Sequence, residues 1–243
     1  MRFSGALMAL GCVALSACQT APATPPPSAQ SPSVSTFFAG APATAIVDGR
    51  VFLPPPPTVN SALDRADRAI ARGPWSAERI EQARQDNAID PFAAFDEVLG
   101  ADFRADRLPA TRALLMRVAR DVGMASQAPK NLYNKPRPFV RDASQATCVT
   151  PDEGLRNSGS YPSGHSAIGW AWGLTLVELY PAQADALLRR AYGFGESRVV
   201  CGVHWRTDME SGQLLGAAGL ARLHADPTFQ AQLEAARAEL SAR

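Results

Sequence analysis

The chain has 243 residues, 46% of them hydrophobic, with 24 basic against 23 acidic side chains and a formal net charge of +1. That balance excludes a global electrostatic pull toward nucleic acid or anionic lipid, so any basic cluster that matters has to be local. Past the N-terminus no run reaches the length of a membrane span, and the longest weakly polar stretch, Ser166 to Tyr180, suits a buried core helix.

Residues 1–17 read as an export signal. Arg2 supplies the positive start, and Ala6 to Ala14 is an uncharged, mostly apolar segment too short for an ordinary membrane helix. Leu15-Ser16-Ala17-Cys18 resembles a bacterial lipobox, which makes Cys18 the expected lipidated mature N-terminus; ordinary cleavage nearby is the alternative. Gln19 after the cysteine then points to the outer membrane. From Gln19 to Thr44 the chain is rich in Pro, Ala, Ser and Thr and carries no charge, a composition with too little apolar surface to fold, so residues 18–45 read as a tether. The expected folded domain is 46–243, in a periplasmic protein held to the outer membrane by its lipid, or otherwise secreted. Contact with the membrane is expected through that anchor alone.

The roughly 200 residues left suit one domain with a sizeable core. Ile46 to Leu53 is the one β-like patch, and it runs straight into Pro54-Pro55-Pro56-Pro57, which argues against a long sheet. Asp90-Pro91 is an N-cap with proline at the first helical position, and Gly100 stands where that helix should stop. Pro109 opens a helix with Leu114, Leu115, Val118 and Val122 on one face and Gly123 after its end. Asp226-Pro227 repeats the start signal before Phe229, Leu233, Ala236 and Leu240. The expected fold is all-α, a single-domain helical bundle with its polar motifs on helix ends and loops. Arg65, Arg68, Arg72 and Lys135 read as solvated surface, and His224 as surface or structural.

Of the four cysteines, Cys12 leaves with the signal and Cys18 is taken up by lipidation. Cys148 and Cys201 remain as a pair in an oxidising compartment, where a disulfide is the natural reading and two buried free thiols the alternative. Two cysteines without clustered histidines are too few for a zinc site; no cofactor is expected.

Three stretches pool two histidines, three cations and a carboxylate: Lys130-x6-Arg137-Pro138, Tyr161-Pro162-Ser163-Gly164-His165 and Ser197-Arg198-x5-His204-x3-Asp208. Together they hold the parts that phosphoryl transfer through a histidine needs. Cations hold the anion, one histidine attacks, the other protonates what leaves, and a carboxylate fixes the attacking imidazole. Ser163-Gly164-His165 precedes a helical run, so backbone N–H groups and the positive helix end favour an anion there, although Ser163 acting as a plain cap fits equally. His204 and Asp208, four apart, would share one helix face, with the carboxylate orienting the ring; a structural hydrogen bond is the alternative for the pair in isolation. Lys130, Arg137 and Arg198 are the candidate anion clamp.

These three motifs together resemble the signature of the bacterial class A non-specific acid phosphatases, within the phosphatidic acid phosphatase type 2 superfamily that also holds the vanadium haloperoxidases. Leu53-Pro54-Pro55-Pro56-Pro57, Gly159-Ser160-Tyr161 and Val200-Cys201-Gly202-Val203-His204-Trp205 extend the resemblance over most of the domain. It implies an all-α, metal-independent enzyme acting on phosphate monoesters, with some phosphotransfer to alcohols. His204 is then the nucleophile that forms a phosphohistidine, Asp208 its orienting partner and His165 the acid for the leaving group. Lys130, Arg137, Ser163, Gly164 and Arg198 are the phosphate-binding set. An acidic optimum follows if His165 must start protonated, with nearby cations lowering its pKa and phosphate raising it. Alternatives within reach of the same residues are a vanadium-dependent haloperoxidase, a lipid phosphatase and a non-catalytic phosphate-binding lipoprotein. Natural substrate and homo-oligomerisation stay open.

Overall fold

The computed structural model describes Met1, residues 36–38 and residues 41–242; Cys18 and the lipobox lie outside the described residues. Helices are the only long elements among them: α1 (Gly49–Phe52), α2 (Ala62–Arg72), α3 (Ala77–Gln85), α4 (Pro91–Leu99), α5 (Pro109–Ala125), α6 (Gln127–Tyr133), α7 (Pro138–Arg141), α8 (Glu153–Asn157), α9 (Gly164–Leu179), α10 (Ala184–Val200), α11 (Arg206–Leu223) and α12 (Pro227–Ser241). None of the described helices is long and apolar enough to cross a membrane. The described residues from Thr36 onward belong to one compact unit.

Helix α9 is the axis of the bundle and packs against α5, α10 and α11. It is apolar nearly all round because it is buried all round: Ala167, Ile168, Ala171, Trp172 and Leu176 face different neighbours from one helix. Approach to α11 is at backbone distance. A Cβ on Gly212 would lie 2.3 Å from the Ser163 carbonyl oxygen, and one on Gly216 would lie 2.4 Å from that of Ala167, so neither position accepts a side chain. Helix α12 covers α5, and α3 packs on α10.

Start signals act as expected. Asp90 caps α4 through Phe92 N at 2.9 Å, and Asp226 caps α12 through Thr228 N and Phe229 N. Two boundaries differ. Gly123 lies inside α5, which continues to Ala125, because the glycine lets Ile168 of α9 pack closely against that turn. The β-like patch at 46–53 has no partner strand among the described residues and instead forms the short turn α1, capped by Asp48.

Part of the expected tether belongs to the folded unit. Phe37 is buried in the core, edge-to-face on Phe229 at 5.6 Å and beneath the Arg117 guanidinium at 4.2 Å. Asp121 accepts from the backbone of Thr36 at 2.8 Å and of Phe37 at 3.0 Å. Phe37 supplies the apolar surface that the surrounding Pro, Ala, Ser and Thr lack.

Cys148 and Cys201 are disulfide-bonded across 53 residues. A loop of that size is worth about 4 kcal/mol in the chain-entropy account. The bond pins the turn at Gly202, whose φ of 66° favours glycine and where a Cβ would meet the Ala146 carbonyl oxygen at 2.2 Å.

Candidate active site

The three motifs converge because backbone atoms tie them together. Ser163 N donates to the Asp208 carbonyl at 2.8 Å, joining the start of α9 to the start of α11. Arg137, at the N-cap of α7, donates to the Val203 carbonyl at 2.9 Å and the Ser158 carbonyl at 3.2 Å, while Lys130 Nζ donates to the Gly159 carbonyl at 3.0 Å. The backbone N–H groups of Val203 and His204 both return to the Arg198 carbonyl, folding the segment after α10 into a tight turn. As a result Lys130, Arg137, Arg198 and His165 all bear electrostatically on His204.

The protonation of His204 follows from its partner. Its Nε2 lies 2.9 Å from Arg137 Nη1. A guanidinium has no acceptor, so Nε2 presents its lone pair and the ring proton sits on Nδ1. Nδ1 faces Asp208 Oδ2 at 3.4 Å, longer than a formed hydrogen bond, and Nδ1 has no other hydrogen-bond partner. Burial, reinforced by Arg137, Lys130, Arg198 and His165, holds His204 well below its ordinary pKa and therefore neutral. The expected sharing of one helix face is incorrect in detail. His204 precedes α11, and Asp208 lies in its first turn, where Oδ2 also accepts from Trp205 N at 2.9 Å; the carboxylate reaches back over the helix start.

His165 stacks on Phe194 with ring centroids 4.6 Å apart, and its Nε2 donates to the Asp86 carbonyl at 2.6 Å. That contact fixes the tautomer and leaves Nδ1 as the exchangeable site. Burial, then the charge of Arg198, push its pKa down to about 3. Ser163 does cap α9, accepting from Ser166 N at 3.2 Å, and is fully buried. Gly164 stands where a Cβ would crowd Ser126 Oγ at 2.8 Å. Arg198 donates to Asn87 Oδ1 at 2.8 Å, and its Nε is buried without a hydrogen-bond partner. Burial lowers Arg137 and Arg198 to about 10, so both stay cationic, and lowers Lys130 to about 7, with Arg137 adding to the effect.

Arg68 and Arg72 hold partly exposed ion pairs with Asp64 and Asp142, as surface residues should. His224 is structural, 2.9 Å from Glu178 and edge-on to Phe229. Lys135 is not on the surface. It is 8% exposed and donates to Asp208 Oδ1 at 2.8 Å and Thr207 Oγ1 at 3.0 Å. Asn134 ends α6 in the left-handed conformation, φ 40°, and Lys135 follows that turn into the space between α2 and α11. Asp86, Asn87 and Asp67 come from parts of the chain without a recognisable motif, and Thr207 stands at an unspecified position inside the third motif, so none of the four is singled out by the sequence.

The electrostatics set a sign for anion binding. A bound anion stabilises the protonated forms of His165 and Lys130, whose pKa values are depressed without it, so binding takes up protons, at Lys130 above about 7 and at His165 above about 3. Sulfate, whose charge is constant over this range, should bind more tightly as pH falls from 8 to 5, by up to about tenfold per unit for each proton taken up. Titration calorimetry in buffers of different ionisation enthalpy reads both affinity and uptake; a flat profile would contradict the assignment.

Residues 111–230 match the model of the PAP2 superfamily. The chain is 38% identical over 203 residues to a non-specific acid phosphatase of Providencia stuartii, covering 80% of this chain and 82% of that protein. It is 37% identical over 204 residues to an acid phosphatase of Zymomonas mobilis, covering 79% and 75%. A bacterial vanadium-dependent iodoperoxidase shares the fold, with a TM-score of 0.53 at 16% identity over 74% of this chain and 54% of that one. The chain belongs to the PAP2 superfamily, in its branch of bacterial non-specific acid phosphatases.

Proposed function

We propose that the chain hydrolyses phosphate monoesters through a phosphohistidine on His204, without a metal. The observation that carries this reading is the tautomer of His204, neutral, with the Nε2 lone pair beside Arg137 and Nδ1 toward Asp208. Nε2 attacks phosphorus as the bond to the leaving oxygen breaks, and His165, protonated in the complex, gives that oxygen its proton. Neutral His165 then takes a proton from water, which attacks phosphorus and frees His204. Lys130, Arg137 and Arg198, with the N–H groups at the start of α9 beside Ser163 and Gly164, meet the charge on the three equatorial oxygens. Contacts centred on phosphate leave the alcohol largely unread, which supports broad monoester use and transfer to an alcohol in place of water. The lipobox and the tether composition support a periplasmic lipoprotein anchored through Cys18.

Rapid quenching with 32P-labelled substrate tests the mechanism. The expected label on protein is acid-labile and base-stable, insensitive to chelators and absent in His204→Ala. An acid-stable label, or labelling that persists in the variant, would sink the phosphohistidine.

A further inference from the structure

We infer that Lys135 and Asp67 form a charge-setting pair behind Asp208, making Lys135 a positioning residue for the His204 step. This rests on the reading of His204 as nucleophile. The group is closed and buried. Lys135 Nζ contacts Asp208 Oδ1 at 2.8 Å, Thr207 Oγ1 at 3.0 Å and Asp67 Oδ2 at 3.4 Å. Asp67, on α2, accepts from Thr207 N at 3.0 Å and Thr207 Oγ1 at 2.5 Å. Asp67 is 2% exposed and Asp208 fully buried. The cations that bear on His204 are Arg137, Lys130 and Arg198, and Lys135 is not among them, so it is read as a partner of Asp208 rather than another clamp cation.

The arrangement matters through its charge. When Nε2 of His204 gives its lone pair to phosphorus and the leaving-group bond breaks, the ring keeps its Nδ1 proton and becomes cationic. Lys130, Arg137 and Arg198 already crowd that ring with positive charge. Asp208 is the carboxylate in reach of Nδ1, but an ammonium paired with it alone would cancel it. Asp67 shares that ammonium. One cation between two carboxylates leaves one negative charge on the group, which the cationic ring neutralises, while Lys135 and Trp205 N hold the Asp208 plane so that Oδ2 faces His204.

A double-mutant cycle on the full chain, read with p-nitrophenyl phosphate, separates this from a merely structural role. Lys135→Met should lower kcat by about 100-fold and Asp67→Asn by about 10-fold, both with KM within about twofold of the parent. The double variant restores the single negative charge and should exceed Lys135→Met in kcat by about five- to tenfold. A double variant at or below the product of the single losses, or a rise in KM at constant kcat, would overturn the inference. If Lys135→Met does not fold, Asp67→Asn decides: the kcat loss at constant KM supports the pair, and parental kcat overturns it. His204→Ala run in parallel distinguishes the two levels, since wild-type turnover there removes the nucleophile itself, whereas an inactive His204→Ala with parental Asp67→Asn removes only the pair.

Discussion

Replacing His204 with alanine lowers kcat for p-nitrophenyl phosphate by about four orders of magnitude, the scale expected when a nucleophile is lost and the rest of a preorganised site remains. The fold should tolerate the change. The ring makes no structural hydrogen bond apart from Arg137, which also holds the Val203 and Ser158 carbonyls, and Asp208 keeps Lys135 and Trp205 N. Sulfate should still bind, because the clamp cations are intact and a like-sign neighbour of theirs has not been added. Loss of turnover with retained sulfate affinity is therefore the expected pair of results. A variant that turns over within about tenfold of the parent would mean that water attacks phosphorus directly.

His165→Asn separates substrates by their leaving groups. With an alkyl phosphate such as glycerol phosphate the departing alkoxide needs its proton, and the loss should be about 10³-fold. With p-nitrophenyl phosphate the phenolate leaves readily, so release should fall by less than about tenfold and dephosphorylation of His204 should limit turnover. Quenched samples of the variant should consequently hold more labelled enzyme than the parent. Equal losses in the rate of leaving-group release on both substrates would assign His165 to binding rather than proton transfer. Acidification also has a cost in the ligand-free enzyme. His165 has a folded pKa of about 3 against an ordinary 6.5, so the unfolded chain binds the extra proton between these values and stability falls as pH drops through that window. An occupying phosphate offsets this loss by making protonated His165 more favourable, so ligand should protect the enzyme on acidification.

The family and the candidate site are legible because their residues lie in short runs whose spacing survives without knowledge of the fold. Helix starts at Asp90 and Asp226 were legible for a similar reason, since a cap acts on the next three residues. What escaped was set by distant packing. Lys135 looks like any surface lysine until α2 and α11 bring Asp67 and Asp208 to it. Phe37 sits in a stretch whose average composition reads as tether, and only the docking of Thr36 and Phe37 on Asp121 distinguishes it. The four-residue interval from His204 to Asp208 suggested a helix face, but the same interval also fits a side chain reaching back across a helix start.

The turn at Asp86 and Asn87 has a bearing on how such an enzyme can diverge. It comes from a part of the chain remote from the three motifs, yet its backbone carbonyl orients His165 and its asparagine reaches Arg198. The phosphate end of the reaction is built by the bundle interior, where Gly212 and Gly216 leave no room for drift. On the proposed reading the leaving alcohol borders on this turn, where Asp86 is buried and held by Arg190 and Ser197 while Asn87 and the next residues are exposed and open to substitution. Selectivity among alcohols can thus be gained or lost in one segment while bond cleavage is inherited unchanged from another.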